Sequence, residues 1–286
     1  IDLHKDESHV AVLDDDVEVV EEIRVTNANL DEVAEEYAGA KAALEATSNY
    51  YTVYDTLDEH LDVVVADPSQ TKAIGYAEVK NDRLDAKLLA QLRRAGMIAE
   101  SYVPSEDLRE RRALVRGRKR LVEKWTDFKN EVHAVLDKHG ITYDWDPLSV
   151  VGDQLMESFL SIIDELTAQI EELEEMIEET AASLEETQLL MTIPGVSFYS
   201  SLLITSEIGE IDRFDEANQV VSYAGLDPVV RESGDSRTEG SISKRGSGDL
   251  RWILVQCVQT AVHRCNDLYL GRFYARLKQR KNHQIA

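Results

Sequence analysis

The sequence predicts a mixed α/β domain, then a pair of long antiparallel helices, then a mainly α third part. Three observations carry this division. Over residues 1–103, short β-branched runs alternate with helical patterns, which is how mixed sheets read. Over Leu121–Val135 and Phe159–Leu184, apolar residues recur at steps of four and three. From Leu189 on, helical runs are interrupted by Pro194-Gly195 and by a Gly/Ser-rich basic stretch. The expected boundaries are 1–103, 104–188 and 189–286.

Taken in order, residues 1–25 read as strands, built on His9–Leu13 and Val17–Val25. Asn29–Ala42 reads as a helix opened by residues suited to capping. Ala42–Ala46 is a short apolar run consistent with a buried strand, and Tyr50–His60 looks helical. Leu61–Ala66 is β-branched and bounded by Asp67-Pro68, the mark of a core strand ending in a turn. Asp82–Gly96 is a helix with Leu84, Leu88, Leu89 and Leu92 as its apolar positions. In the middle, Leu121, Trp125, Phe128, Val132 and Val135 form one seam. Phe159, Ile163, Leu166, Ile170, Leu173, Ile177 and Leu184 form another, joined to the first through His139–Asp153. The seam fits a helical hairpin packed within the chain and, in preference because it lasts about four heptads, a coiled coil that joins protomers. Leu250–Cys265 and Tyr269–Lys281 are the last helices, the second with a basic face. The chain opens at Ile1 inside a strand-like run and stops soon after a basic helix, so a few residues of each terminal element are expected to be missing.

Lys and Arg number 31 against 55 Asp and Glu, a net charge of −24. Such a balance opposes phosphate-rich partners at low salt. It also suits a halophilic protein, whose surface is acidic whatever its function, and the clustering of charge favours that reading. Acid gathers at Asp14–Glu22, Asp31–Glu36 and Asp164–Glu186, base at Arg109–Lys124 and from Arg231 to Lys281. Two cysteines, Cys257 and Cys265, exclude a disulfide framework and a CxxC zinc site, and fit a reducing cytoplasm. No signal peptide or membrane-length apolar run is present.

Four acids have the distribution a metal-dependent phosphodiesterase needs. Such enzymes gather carboxylates around two Mg²⁺ ions roughly 3.5–4 Å apart, one activating the attacking oxygen and one stabilising the leaving oxygen. In an RNase-H-like sheet the first carboxylate lies on the first strand, and Asp2 fits. The second lies at the end of a later core strand, and Glu45 fits. The last come from a helix beside the sheet. Asp82 and Asp85, three apart, share a helix face. Plainer alternatives stand beside each. Asp2 alone is an edge residue, Asp82 suits an N-cap, and Asp85 suits the positive end of a helix. Glu45 sits in an apolar run, where an unpaired charge is costly. Asp67 is a rival ligand and also a plain turn residue before Pro68. His4, Lys5 and Asp6 read as hairpin residues.

The blocks Asp2-Leu3-His4-Lys5-Asp6, Glu45-Ala46-Thr47 and Asn81-Asp82-Arg83-Leu84-Asp85-Ala86 resemble those of the DEDD-type insertion-sequence transposases and the related Piv-type DNA invertases. Ile193–Val196, Glu207-Ile208-Gly209, Arg213-Phe214, Tyr223–Pro228, Ser233-Gly234, Ile242–Gly246 and Leu250-Arg251 resemble that family's second domain, in order. The resemblance covers nearly the whole chain. It departs at Ser48, where Gly is usual, at Asn81, where Thr is common, and in the acidity of the surface, which with this family suggests a halophilic archaeal source.

The resemblance implies an RNase-H-like (RuvC-like) domain whose metal ligands are Asp2, Glu45, Asp82 and Asp85, with Mg²⁺ as cofactor, and a second domain with Ser233 as nucleophile. It implies DNA as substrate, a homodimer or tetramer, and a structured guide RNA that pairs with donor and target, so that base pairing supplies specificity. A serine hydroxyl needs activation, here by Mg²⁺ and the carboxylates. Arg231, Arg237, Lys244 and Arg245 would neutralise the phosphate, and Arg112, Arg116, Arg120 and Arg251 would meet nucleic acid. Ser241 and Ser243 remain rival nucleophiles. Without the family, Arg231–Gly248 reads as a solvated loop of turn formers and Arg109–Arg120 as a solvated helix face. Tyr199, Tyr223 and Trp252 suit core packing better than base stacking. Two other functions stay open: a junction-resolving metal nuclease without serine chemistry, and a coiled-coil adaptor without catalysis.

Overall fold

The computed structural model describes residues 1–16, 18–47, 49–68, 82–138, 140, 154–233, 236–264 and 268–280; the side chains of 82–84, 154–155, 230–233, 236–239, 268 and 280 lie outside that description. The chain divides into two compact units, Ile1–Val103 and Pro104–Ala286.

The first unit is mixed α/β. Strands β1 (Asp2–Leu3), β2 (Glu7–Leu13) and β3 (Val19–Thr26) form an antiparallel sheet. Strands β4 (Lys41–Glu45) and β5 (Asp62–Ala66) form a parallel pair, joined by the crossover helix α2 (Tyr50–Asp58). The backbone nitrogen of Ile1 donates to the Ala43 carbonyl at 2.7 Å, and β1 lies against β4. The two sheets therefore abut in the order β3-β2-β1-β4-β5. One side is packed by α1 (Leu30–Glu36) and α2 around Ile1, Leu3, Val10, Leu44, Val63 and Val65. The other side is covered by α3 (Asp82–Ala95), which packs on β2, β4 and β1 and buries Leu89 with Ala43 and Ala66. The helix expected over Asn29–Ala42 stops at Glu36. Gly39 takes φ 82°, and Ala40 already bonds the sheet through the Asp62 amide. A left-handed turn suited to glycine thus gives the chain room to enter β4.

The second unit is mostly helical. Helices α4 (Glu106–Lys138) and α5 (Gln154–Ser183) pack along each other. Arg118 pairs with Glu174, Trp125 Nε1 donates to Thr167 Oγ1 at 3.0 Å, and Phe128 meets Phe159. These partners run in opposite order, so the pair is antiparallel. At the far end Val132, Leu136 and Met156 are buried together. The seam is thus used, at least there, within one chain. Leu184 does not continue it: α5 ends at Ser183, and Leu184 is the extended residue before α6 (Glu185–Met191). Helix α7 (Phe198–Ile208) follows, with Ser197 and Ser200 forming a reciprocal cap. After α8 (Ala217–Tyr223), the stretch expected as a loop forms a hairpin, β6 (Pro228–Ser233) with β7 (Ser236–Ile242). Thr238, Ile242 and the Val229-Val230 pair supply the β-branched character that its Ser and Gly content obscured. Helices α9 (Gly248–His263) and α10 (Leu268–Arg280) close the unit. Among the described residues, no helix is long and apolar enough to cross a membrane.

Candidate active site

Strand alternation decides which way the acids face. Ile1 and Leu3 enter the core of the α1–α2 side, so Asp2 between them faces α3. Its side chain is 13% exposed. On β4, Leu44 belongs to the α1–α2 core and Ala43 packs with Leu89 of α3. Glu45, two residues beyond Ala43, therefore faces α3 as well. On α3, Asp85 precedes the buried Leu89 by four residues and Leu92 by seven, which puts it at the head of the stripe laid on the sheet. Asp2, Glu45 and Asp85 thus belong to one side of one sheet. Asp82 starts α3, and its side chain lies outside the described residues. Asp67 follows β5, where its amide donates to the Ala99 carbonyl at 2.9 Å.

Two asparagines hold this corner together, and sequence reading missed both. Asn27 Nδ2 donates to the carbonyls of His4 and Lys5 at 2.9 and 3.2 Å, and Asn49 Nδ2 donates to the same two at 3.2 Å. The β1–β2 turn is thereby tied to β3 and to the start of α2, just beyond Glu45. Nothing local in the sequence marks either residue, because their partners lie far away along the chain. His4 is more than a hairpin residue: its Nε2 lies 3.6 Å from Asp2 Oδ2. His9 is the register partner of Asp2, and its Nδ1 is buried with no hydrogen-bond partner among the described residues. An orphaned imidazole nitrogen on the sheet face that also carries these acids is a donor type that suits a divalent cation. Among the described residues, Asp2, Glu45 and Asp85 do not bring their oxygens within 4.8 Å of one another. The group that meets this limit is Asp31, Glu35 and His60, two of them exposed.

In the second unit the basic run of α4 is largely used inside the protein. Arg112 is buried, and its Nε and Nη2 donate to the carbonyls of Ser206 and Glu207 at 2.6 and 3.0 Å. Arg116 forms a two-point pair with Glu207, at 2.7 and 2.9 Å, and Glu207 is 1% exposed. Ser247, the N-cap of α9, donates to the same carboxylate at 2.9 Å. Arg118 lies over the Tyr199 ring, and burial pushes that phenol up to about 12. Arg120 is exposed. Tyr223 packs against Phe214 under Arg213, while Trp252 stays partly exposed beside Lys119.

The turn after β7 is locked to the end of α8. The Lys244 amide donates to the Gly225 carbonyl at 3.0 Å, and that of Ser247 to Tyr223 at 2.8 Å. Arg251 Nη1 reaches the Ala224 carbonyl at 2.9 Å. A Cβ on Gly246 would meet the Tyr223 carbonyl oxygen at 1.8 Å, so the turn admits only glycine there. Lys244, at φ 55°, and Arg245 are exposed on this turn. Ser243 Oγ donates to Asp227 at 2.5 Å and closes the hairpin base, and Ser241 is exposed. Ser233 ends β6 opposite Ser236. The side chains of Ser233, Arg231 and Arg237 lie outside the described residues.

A DEDD transposase family model matches residues 1–141. The model of the transposase IS116/IS110/IS902 family matches residues 187–275, and the chain belongs to that family. The chain is 29% identical over 217 residues to a putative transposase of Sinorhizobium fredii, covering 70% of this chain and 53% of the relative. It is 27% identical over 199 residues to the transposase for insertion sequence element IS1111A of Coxiella burnetii, covering 62% and 53%. A transposase for insertion sequence element IS1328 of Yersinia enterocolitica is 27% identical over 202 residues, covering 65% and 60%. The chain spans about half the length of the first two.

Proposed function

We propose that this chain cleaves and rejoins DNA as the transposase of an insertion sequence, with an RNase-H-like first unit and a serine nucleophile in the second. The observation that carries the reading is the common facing of Asp2, Glu45 and Asp85 beneath α3. With Asp82 they form the ligand set for divalent ions, Mg²⁺ in the first instance. Bound there, such ions supply Lewis-acid stabilisation to a phosphodiester oxygen and activate the attacking hydroxyl.

Ser233 Oγ attacks phosphorus, the new P–O bond makes a phosphoserine link, and the leaving oxygen departs with a proton. Reversal on another DNA end restores the serine and rejoins the strand. Arg120, Arg231, Arg237, Lys244 and Arg245 meet nucleic acid, whereas Arg112, Arg116 and Arg251 act by holding the fold that presents them. A structured RNA of the element pairs with donor and target. The α4–α5 hairpin joins protomers into a dimer or tetramer, and the protein acts in the reducing cytoplasm that its sparse cysteines fit. An acidic surface of halophilic type limits nucleic-acid affinity at low salt.

The test is a trapped covalent adduct. Incubation with Mg²⁺ and DNA bearing the element ends, followed by denaturation, should leave a DNA-linked peptide that maps to Ser233. It should be lost in Ser233→Ala. Mg²⁺-dependent cleavage that survives Ser233→Ala without any adduct would favour a metal nuclease of the junction-resolving type.

A further inference from the structure

We infer that His9 supplies an imidazole nitrogen to the divalent-ion site around Asp2, making that site a mixed oxygen–nitrogen one. The inference rests on the carboxylate reading above and deepens it. His9 is paired with Asp2 in the β1–β2 register. Directly opposed residues of an antiparallel pair send their side chains to one face, with Cβ atoms about 4.5–5.5 Å apart. Asp2 faces α3, so His9 does too. Val10, the next residue of β2, belongs to the opposite core. The helix over His9 is α3, which packs on β2 and carries Asp85.

The His9 Nδ1 atom is buried and has no hydrogen-bond partner among the described residues. A polar atom taken from water and left unmatched costs free energy that apolar neighbours do not return. A β-branched side chain would suit this half-buried strand position better, so the imidazole is not there for packing. A cation between Asp2 and His9 removes the cost, because a neutral imidazole nitrogen is a good ligand for first-row divalent ions. Mg²⁺ prefers oxygen donors. The nitrogen therefore tilts the site toward Mn²⁺ relative to an all-oxygen set. His4 is the other imidazole near Asp2, but it lies on the turn and its side chain is 47% exposed.

The experiment is Mn²⁺ binding by the full chain, followed by electron paramagnetic resonance and by spin-echo modulation from ¹⁴N. The wild type should show imidazole ¹⁴N modulation. His9→Gln and His9→Asn should lose it and bind Mn²⁺ roughly tenfold more weakly, with Mg²⁺ binding hardly changed. His4→Gln should keep the modulation. Melting of the metal-free His9 variants at or above the wild-type temperature would show that the fold is intact. Equal modulation in the wild type and both His9 variants overturns the inference, as does loss confined to His4→Gln. Mn²⁺ binding that is absent from the wild type, or unaltered by Asp2→Ala, overturns the carboxylate reading itself.

Discussion

In the second unit a buried carboxylate, Glu207, meets a guanidinium at two hydrogen bonds and a serine hydroxyl at a third. In the first unit, acids are gathered on one side of a sheet, with His4 and His9 beside Asp2. The two regions spend charge differently. Glu207 ties α7, α4 and the start of α9 together, so removing one partner leaves an uncompensated charge in the interior. Acids that share one sheet face suit a divalent ion, and on the proposed reading their place there serves a ligand rather than stability.

The comparison is sharpest where activity and stability separate. Alanine at Asp2, Glu45, Asp82 or Asp85 should abolish Mg²⁺-dependent strand cleavage, measured on labelled DNA. The metal-free protein should melt at the wild-type temperature or higher. A large drop in melting temperature for all four would make these acids structural and end the contrast. In the second unit the opposite pattern is expected. Arg116→Ala should cost about 3 kcal/mol in denaturant unfolding, because it strands the buried Glu207 carboxylate. Glu207→Ala should cost less, since Arg116 is part-exposed and also faces Asp249 at 3.6 Å. A cost below about 1 kcal/mol for Arg116→Ala would show the pair to be loosely held, as exposed pairs are.

A finer break lies along α4. Arg112→Ala should destabilise the fold, since its guanidinium serves two buried carbonyls. Arg120→Ala should leave unfolding unchanged. It should lower the slope of log affinity against log salt by about 0.9, the value for one phosphate contact on duplex DNA. The reverse assignment, read from unfolding curves and salt titrations of the two variants, would return the whole basic run to nucleic acid.

Much of this was present in the linear chain. Apolar and β-branched runs placed β2, β3 and β5 within a few residues, and steps of four and three marked the paired helices from Leu121 on, because side-chain burial writes that rhythm directly. Helix α4 begins earlier, at Glu106. Joint motif order named the family, since independent blocks in a fixed sequence seldom arise by chance. The acids Asp2, Glu45 and Asp85 were legible as types at spacings. Their common facing was not, because it depends on β1 meeting β4, a pairing between residues far apart in sequence. The same holds for His9, whose position opposite Asp2 is a matter of register. It holds for Arg112 and Arg116, whose charges look free until Ser206 and Glu207 are folded against them. Sequence alone thus determined which elements form and which residues carry chemistry. The tertiary structure decided which side each residue faces and which charges are already answered, since only packing brings distant backbone carbonyls and carboxylates within hydrogen-bonding reach.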